Sequence, residues 1–343
     1  SLDTTGEALL PRHRAWWQRG DSLYAEPPVA ALGKLWLPLT GGAIAEADVD
    51  LTPEMVDVER IVGESLGEGP IETVGDQFRH SAPYTQIPWV EAILGLPIRT
   101  TIEGGSMRVS AHIASWDEWE RGTVQRSDDW FDLLKHFITL LAARRGGVHA
   151  ITQTLMRGPS DLAEAVLGPE LMCYSIYDHP NELHHFLDQI TDTFIEILHE
   201  QLARIPTIEG GYVCPFGIWS PGTVVRTQCD ASAFLSADHY AKWFMPHDVR
   251  ICESADHSVI HLHSNQLHTV DKLLGLEHPQ AIQVTLDIEP SGPPLIKVLP
   301  TLRRILSVKP MILAGFLTDA DVRLVREELP QAGLSVTRRK ATF

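Results

Sequence analysis

From about residue 129 the chain alternates short apolar runs with amphipathic helical stretches, and no other feature limits its fold so strongly. Strands are expected over 149–156, 211–217, 224–229, 258–263, 281–286, 311–314 and 334–337, with helices over 129–145, 181–204, 237–254, 295–305 and 319–328 around them. The clearest helix, 181–204, carries Leu183, Phe186, Leu187, Ile190, Phe194, Ile197, Leu198 and Leu202 on one stripe of 3.6-residue period. Its other face carries Asp188, Asp192, Glu196 and Glu200. Short strands spaced by helices pair in parallel through right-handed crossovers, which leaves a closed barrel or an open doubly wound sheet. No glycine pattern of the dinucleotide-binding or P-loop kind follows any strand, so the expected fold is α/β, a (β/α)8 TIM barrel.

A chain of 343 residues suits one such domain, here expected to span 1–343. Residues 1–70 fit the rhythm poorly, with many Trp, Pro and Arg before a weak helical pattern at 53–65, and they read as an N-terminal decoration. Pro88 and Gly95 bracket a short helix. The N-terminus has no basic region followed by an apolar run, and no stretch approaches the roughly 18 apolar residues of a membrane span, so a cytoplasmic protein is expected. Cys173, Cys214, Cys229 and Cys252 form no CxxC pair, which suits free thiols in a reducing compartment. The formal net charge of −17 repels phosphate backbones and anionic lipid, which weighs against nucleic-acid and membrane partners and against a large polyanionic substrate. A small-molecule substrate remains, acted on by a monomer or homodimer.

In a barrel the reacting groups sit at the C-terminal ends of strands. The apolar run Val259-Ile260 ends in His261-Leu262-His263, and period-two alternation puts both imidazoles on one face. One strand later, the run beginning at Gln283 ends at Asp287. Two histidines and a carboxylate with an open fourth position form a ligand set used by catalytic zinc; the same histidines serve equally to grip an anion or to hydrogen-bond loop carbonyls. Cys229 stands either as a further ligand or as an inert buried thiol, and Cys214 has a similar location. Asp230 is placed as a general acid or base, as an orienting partner for a histidine, or as a helix cap. Arg157 follows a strand and precedes Gly158-Pro159, where it reaches an anionic substrate group or pairs with Asp161. Tyr84, Trp89, Phe216 and Trp219 fall in presumed loops, as a ligand wall or as loop packing, and Gln283 joins them as a substrate-binding candidate.

The order Ser220-Pro221-Gly222, Gln228-Cys229-Asp230, Phe244-Met245-Pro246, Ile260-His261-Leu262-His263 and Ala314-Gly315-Phe316 resembles the uroporphyrinogen decarboxylase superfamily over roughly residues 150–340. Segments Met156-Arg157-Gly158-Pro159 and Asp178-His179-Pro180 are similar to family features as well. The resemblance implies a barrel with its site at the C-terminal rim. True decarboxylases of the family carry an early arginine-rich loop that grips the substrate's carboxylates; Pro11-Arg12-His13-Arg14 stands in a loosely similar place without that pattern. The family's corrinoid methyltransferases hold zinc on His-x-Cys and a distant C-terminal Cys. Here His261-x-His263 stands for the first, and since Cys252 is the last cysteine, Asp287 or Cys229 stands for the second. The resemblance thus implies a zinc-dependent methyltransferase acting on a thiol acceptor. The alternatives are a carboxy-lyase for a tetrapyrrole or smaller acid, and a non-catalytic barrel binding a corrinoid or tetrapyrrole. An Asp-x-His-x-x-Gly corrinoid loop is absent, so a corrinoid would arrive on a partner protein.

Overall fold

The computed structural model describes residues 1–27, 34–110, 112–122 and 124–339. Eight short strands organise it: β1 (Leu23–Ala25), β2 (His80–Ser81), β3 (Ala150–Ile151), β4 (Val224–Gln228), β5 (His257–His263), β6 (Ala281–Leu286), β7 (Met311–Phe316) and β8 (Leu334–Arg339). Six of them form one parallel sheet in the order β1-β8-β7-β6-β5-β4, and β2 pairs with β3 in parallel. Single hydrogen bonds run between the two sets. The amide of Asp76, just ahead of β2, donates to the Tyr24 carbonyl of β1 at 2.8 Å. At the other edge the Gln153 side chain, just beyond β3, donates to the Arg226 carbonyl at 3.1 Å and accepts from the Arg226 amide at 2.9 Å. Among the described residues that amide takes the place of a ladder between β3 and β4.

The strands are apolar on both faces, as parallel strands covered by helices must be: Val259, Ile260, Leu262, Ile282, Val284 and Leu313 are all fully buried. The covering helices include α1 (Thr4–Trp17), α2 (Trp89–Leu94), α3 (Asp128–Arg145), α4 (Pro159–Asp178), α5 (Pro180–Leu202), α6 (Met245–Cys252), α7 (Leu295–Val308) and α8 (Asp319–Glu328). Every residue of the 3.6-period stripe on α5 is buried, worth about 1.5–3 kcal/mol for each large side chain removed from water. A Thr318/Asp321 capping box starts α8 at the expected residue. No helix among the described residues is long and apolar enough to cross a membrane.

Three expectations differ in detail from the structure. Within residues 1–70, expected as an N-terminal decoration, β1 pairs with the last strand, Leu23 opposite Ser335, and α1 lies across the N-terminal ends of the strands. There Trp16 is fully buried against Leu23, Val224, Val259, Ala281 and Ile312. His13 of α1 accepts from the Trp219 amide at 2.8 Å and meets the Asp76 carbonyl at 2.7 Å, and burial pushes its pKa down to about 4. The run at 211–217 does not join the parallel sheet; Tyr212–Val213 folds back on Trp219–Ser220 as an antiparallel ribbon. The helix expected over 237–254 runs over 237–252, with Ala237–His239 passing through a π-turn at Tyr240–Phe244 into α6, whose first turn holds Pro246. Proline has no amide hydrogen to continue the preceding turn's ladder.

Candidate metal centre

The parallel register of β5 and β6 sets Gln283 directly opposite His261 and Thr285 opposite His263. The His261 Nδ1 hydrogen-bonds to the Gln283 side-chain carbonyl. A carbonyl only accepts, so Nδ1 carries the proton and Nε2 presents a lone pair. The Gln283 amide is itself held, donating to Thr285 Oγ1 at 3.0 Å. His263 is arranged alike: Nδ1 lies 2.7 Å from Asp287 Oδ1, while Asp287 Oδ2 accepts from the Ser264 amide and hydroxyl, each at 3.1 Å. The two rings stand edge to face, centroids 4.7 Å apart.

Both Nε2 atoms then face Asp230, two residues beyond the end of β4 and the first residue of a 3-10 turn. His261 Nε2 is 3.9 Å from Oδ1 and His263 Nε2 is 3.8 Å from Oδ2. Oδ2 accepts from the Gln228 amide at 2.9 Å, whereas Oδ1 is buried without a hydrogen-bond partner among the described residues. One ligand atom each from Asp230, His261 and His263 lies within 4.8 Å of the others. Zinc with bonds of about 2.0–2.1 Å needs tetrahedral ligand atoms about 3.3 Å apart. Each imidazole lies within about 0.6 Å of that spacing from its nearer Asp230 oxygen, and the three ligand atoms, up to 4.8 Å apart, draw together by up to about 1.5 Å through side-chain rotation to hold the ion.

The electrostatics suit a cation. Burial lowers the His261 pKa well below the ordinary imidazole value, with the Arg226 charge adding to it, so the ring is neutral at pH 7. Burial also raises Asp230 to about 6, helped by repulsion from Asp161 and opposed by His263, Arg226 and Arg157. Asp161, in the first turn of α4, accepts from the Ala231 amide and the Gln228 amide at 2.7 Å each, and burial raises its pKa too. Arg226 lies fully buried beneath them, donating to Gln228 Oε1 at 2.6 Å, and burial lowers its pKa to about 10. Of Arg226, Gln228 and Asp161, Arg226 carries no expectation from the sequence. An arginine inside the apolar strand Val224–Gln228 was the available signal, because such a charge is retained only where carboxylates answer it.

The structure brings Asp230, His261, His263, Gln283, Asp287 and Arg157 to the C-terminal ends of the strands. Asp287 stands behind His263 as the acceptor that orients it. Arg157 has its Nε 3.2 Å from the buried Glu91 Oε1, and the Glu91 charge holds the guanidinium above its usual pKa. Tyr84 is on the same side, its hydroxyl donating to the Trp36 carbonyl. Cys229 does not join the histidines: it is fully buried beside Tyr240 and Asp248, and burial raises its thiol pKa well above normal. Three of the four expected loop aromatics lie elsewhere as well. Trp89 is a core residue on α2, edge to face with Trp130 and Phe137. Trp219 and Phe216 pack at the N-terminal ends of the strands, where Trp219 donates to the Ile208 carbonyl at 2.7 Å. Their amphipathic rings close the floor, and the large apolar area they bury there explains the placement.

Beside Asp287, at the ends of β6, β7 and β8, opens a mainly apolar cavity of about 790 Å³ walled by Ile288, Leu295, Phe316 and Leu317, with Arg339 at its edge. Its size and lining are those of a small-molecule site.

No family model matches the chain, and no curated protein matches its sequence. Among solved structures it is similar to a methyltransferase from Methanosarcina mazei, with a TM-score of 0.53 and 15% identity over 76% of this chain and 74% of that one. At that identity the likeness is one of fold.

Proposed function

We propose that this chain is a (β/α)8 barrel enzyme of the uroporphyrinogen decarboxylase superfamily type, a methyltransferase that holds zinc on Asp230, His261 and His263 and methylates a thiol. The observation that carries the reading is the convergence of two Nε2 lone pairs on the half-buried Asp230 carboxylate, whose Oδ1, the oxygen nearer His261, has no hydrogen-bond partner among the described residues. The similar fold of a protein described as a methyltransferase supports the choice of reaction. The contacts from Gln153 to Arg226 and from Asp76 to Tyr24 support closure of the barrel.

Zinc, when bound, lowers the pKa of a coordinating thiol and so makes it nucleophilic at neutral pH. The protein's own groups do the rest. Gln283 and Asp287 fix the tautomers and aim the imidazoles, as the outer partners of metal-binding histidines do. Gln228 holds Asp230 Oδ2 and so fixes the carboxylate with Oδ1 toward His261 and Oδ2 toward His263. The cavity beside Asp287 receives the acceptor, and its apolar wall keeps water from the reacting sulfur. The methyl group arrives from a corrinoid carried by a partner protein.

The carboxy-lyase alternative asks for cations that grip several carboxylates. Arg12 does not supply them: it sits on α1 at the far end of the strands, paired with Asp76 and with Asp21 at 3.1 Å. The discriminating experiment replaces zinc by cobalt(II) and adds small thiols. A sulfur-to-cobalt charge-transfer band that saturates with thiol is the expected result; a spectrum unmoved by any thiol would overturn the acceptor assignment and favour a ligand-binding barrel.

A further inference from the structure

Away from the histidines, on the other side of Arg157, lies a second cleft of about 440 Å³ lined by Arg99, Arg108, Ser110, His112, Arg157 and Glu164. Three guanidiniums meet one carboxylate there, in a chain whose net charge is −17. Basic groups gathered in a concave site focus positive potential that the rest of an acidic surface does not have.

Two of those arginines are placed at a cost. Ile98–Thr101 and Ser106–Val109 form an antiparallel ribbon in which Arg99 stands directly opposite Arg108. The apolar Ile98 and Met107 turn to the core, so both arginines share the exposed face. Like charges directly opposed across two strands are destabilising. Asp50 answers Arg99 at 2.9 Å, but no ion pair answers Arg108 among the described residues. Arg157 reaches the same cleft with its Nε turned to Glu91 and its terminal nitrogens making no hydrogen bond among the described residues. His112 is also oriented: its Nδ1 meets the Ala165 carbonyl at 2.7 Å, which leaves Nε2 as its outward nitrogen.

We propose that this cleft binds the phosphate group of an organic phosphate ester, shared among Arg99, Arg108 and Arg157. A planar carboxylate is satisfied by the fork of one guanidinium, whereas a phosphate offers more oxygens and up to two charges, and so suits three converging forks. An anion in that position turns the opposed Arg99/Arg108 pair from a repulsion into a clamp. The cleft shares Arg157 with the neighbourhood of Asp230, so a ligand anchored here by its phosphate extends toward the histidines. The proposal does not depend on zinc being bound.

The test is calorimetric titration at low salt with glycerol 3-phosphate, inorganic phosphate and succinate, on wild type and Arg108→Gln. The expected result is one saturable site for the ester, at least as tight as for inorganic phosphate and tighter than for succinate, weakened at least tenfold by Arg108→Gln. That substitution removes half of an opposed like-charge pair, so its Tm should equal or exceed wild type, and its zinc content should be unchanged. A zinc failure in both proteins would thus leave the phosphate result standing. Absence of saturable ester binding, an affinity unaltered by Arg108→Gln, inorganic phosphate binding clearly more tightly than the ester, or succinate binding as tightly as the ester would each overturn the proposal.

Discussion

At the scale of single residues, the groups that decide where the histidines point do not themselves touch the proposed ligands' reacting atoms. Asp287 is the sharpest case, since its two oxygens join His263 Nδ1 to the Ser264 amide and hydroxyl. Replacing it with Asn keeps the shape but offers one acceptor and one donor, and the donor side conflicts with either Nδ1–H or the Ser264 amide. Zinc affinity of Asp287→Asn, measured by competition with a chelator, should fall about 10–100-fold; an unchanged affinity would remove the orienting role. A second residue tests the buried acids. Asp248 accepts from the Tyr240 hydroxyl at 2.9 Å and from Thr227 Oγ1 at 3.3 Å, and burial raises its pKa to about 8. A carboxyl raised in the folded state stabilises fully only below its unfolded pKa, and that contribution is lost as pH rises through about 8. Thermal unfolding of wild type should therefore lose ground to Asp248→Asn between pH 5 and 8. Parallel curves for the two would show that Asp248 stays ionised. The pair His261 and His263 was legible because strand alternation alone puts them on one face. That Asp287 serves His263 rather than a metal was not, because it follows from the β5/β6 register, which one strand's sequence does not contain.

At the scale of elements, legibility follows how much of each element's surface is decided by its own pattern. Helix α5 shows its whole buried stripe in sequence, since eight apolar side chains recur at one period. Phe194 sits at the middle of that stripe, fully buried, and Phe194→Ala should cost about 3–5 kcal/mol. Urea unfolding that moved by less than about 1 kcal/mol would mean that α5 packs more loosely than described. The ribbon at Tyr212–Val213 misled because two apolar residues beside a turn look the same in a parallel sheet and in a hairpin. The π-turn at Tyr240–Phe244 was hidden for a similar reason: an apolar helical period survives such a turn, and Pro246 alone marks where the α-helical ladder resumes. Tyr240 at that turn donates to Asp248 while Cys229 lies against both, so the irregular turn is where the chain buries its polar groups behind the site rather than in it.

For the whole molecule, the first and last strands are the test of how the fold holds together. Residues 1–70 read as an N-terminal decoration because their Trp, Pro and Arg content has no βα rhythm, yet within them β1 lies against β8 and Trp16 fills the floor. A three-residue strand is too short to show periodicity, and a plug residue is recognised only once the strand ends it covers are known. Removing residues 1–27 should expose Val224, Val259, Ala281 and Ile312 and leave an insoluble or molten chain by near-UV circular dichroism; a truncated chain with native signal would favour the decoration reading. The rim that this frame builds unites strands distant in sequence, with Arg157 following β3, Asp230 following β4 and the histidines on β5. The claim most central to the account is that the rim holds a metal, and zinc titration of the apo protein beside His261→Ala and His263→Ala measures it directly. The account predicts one zinc per chain in wild type and loss of stoichiometric binding in both variants. Equal zinc in all three proteins, or none in any, would contradict it.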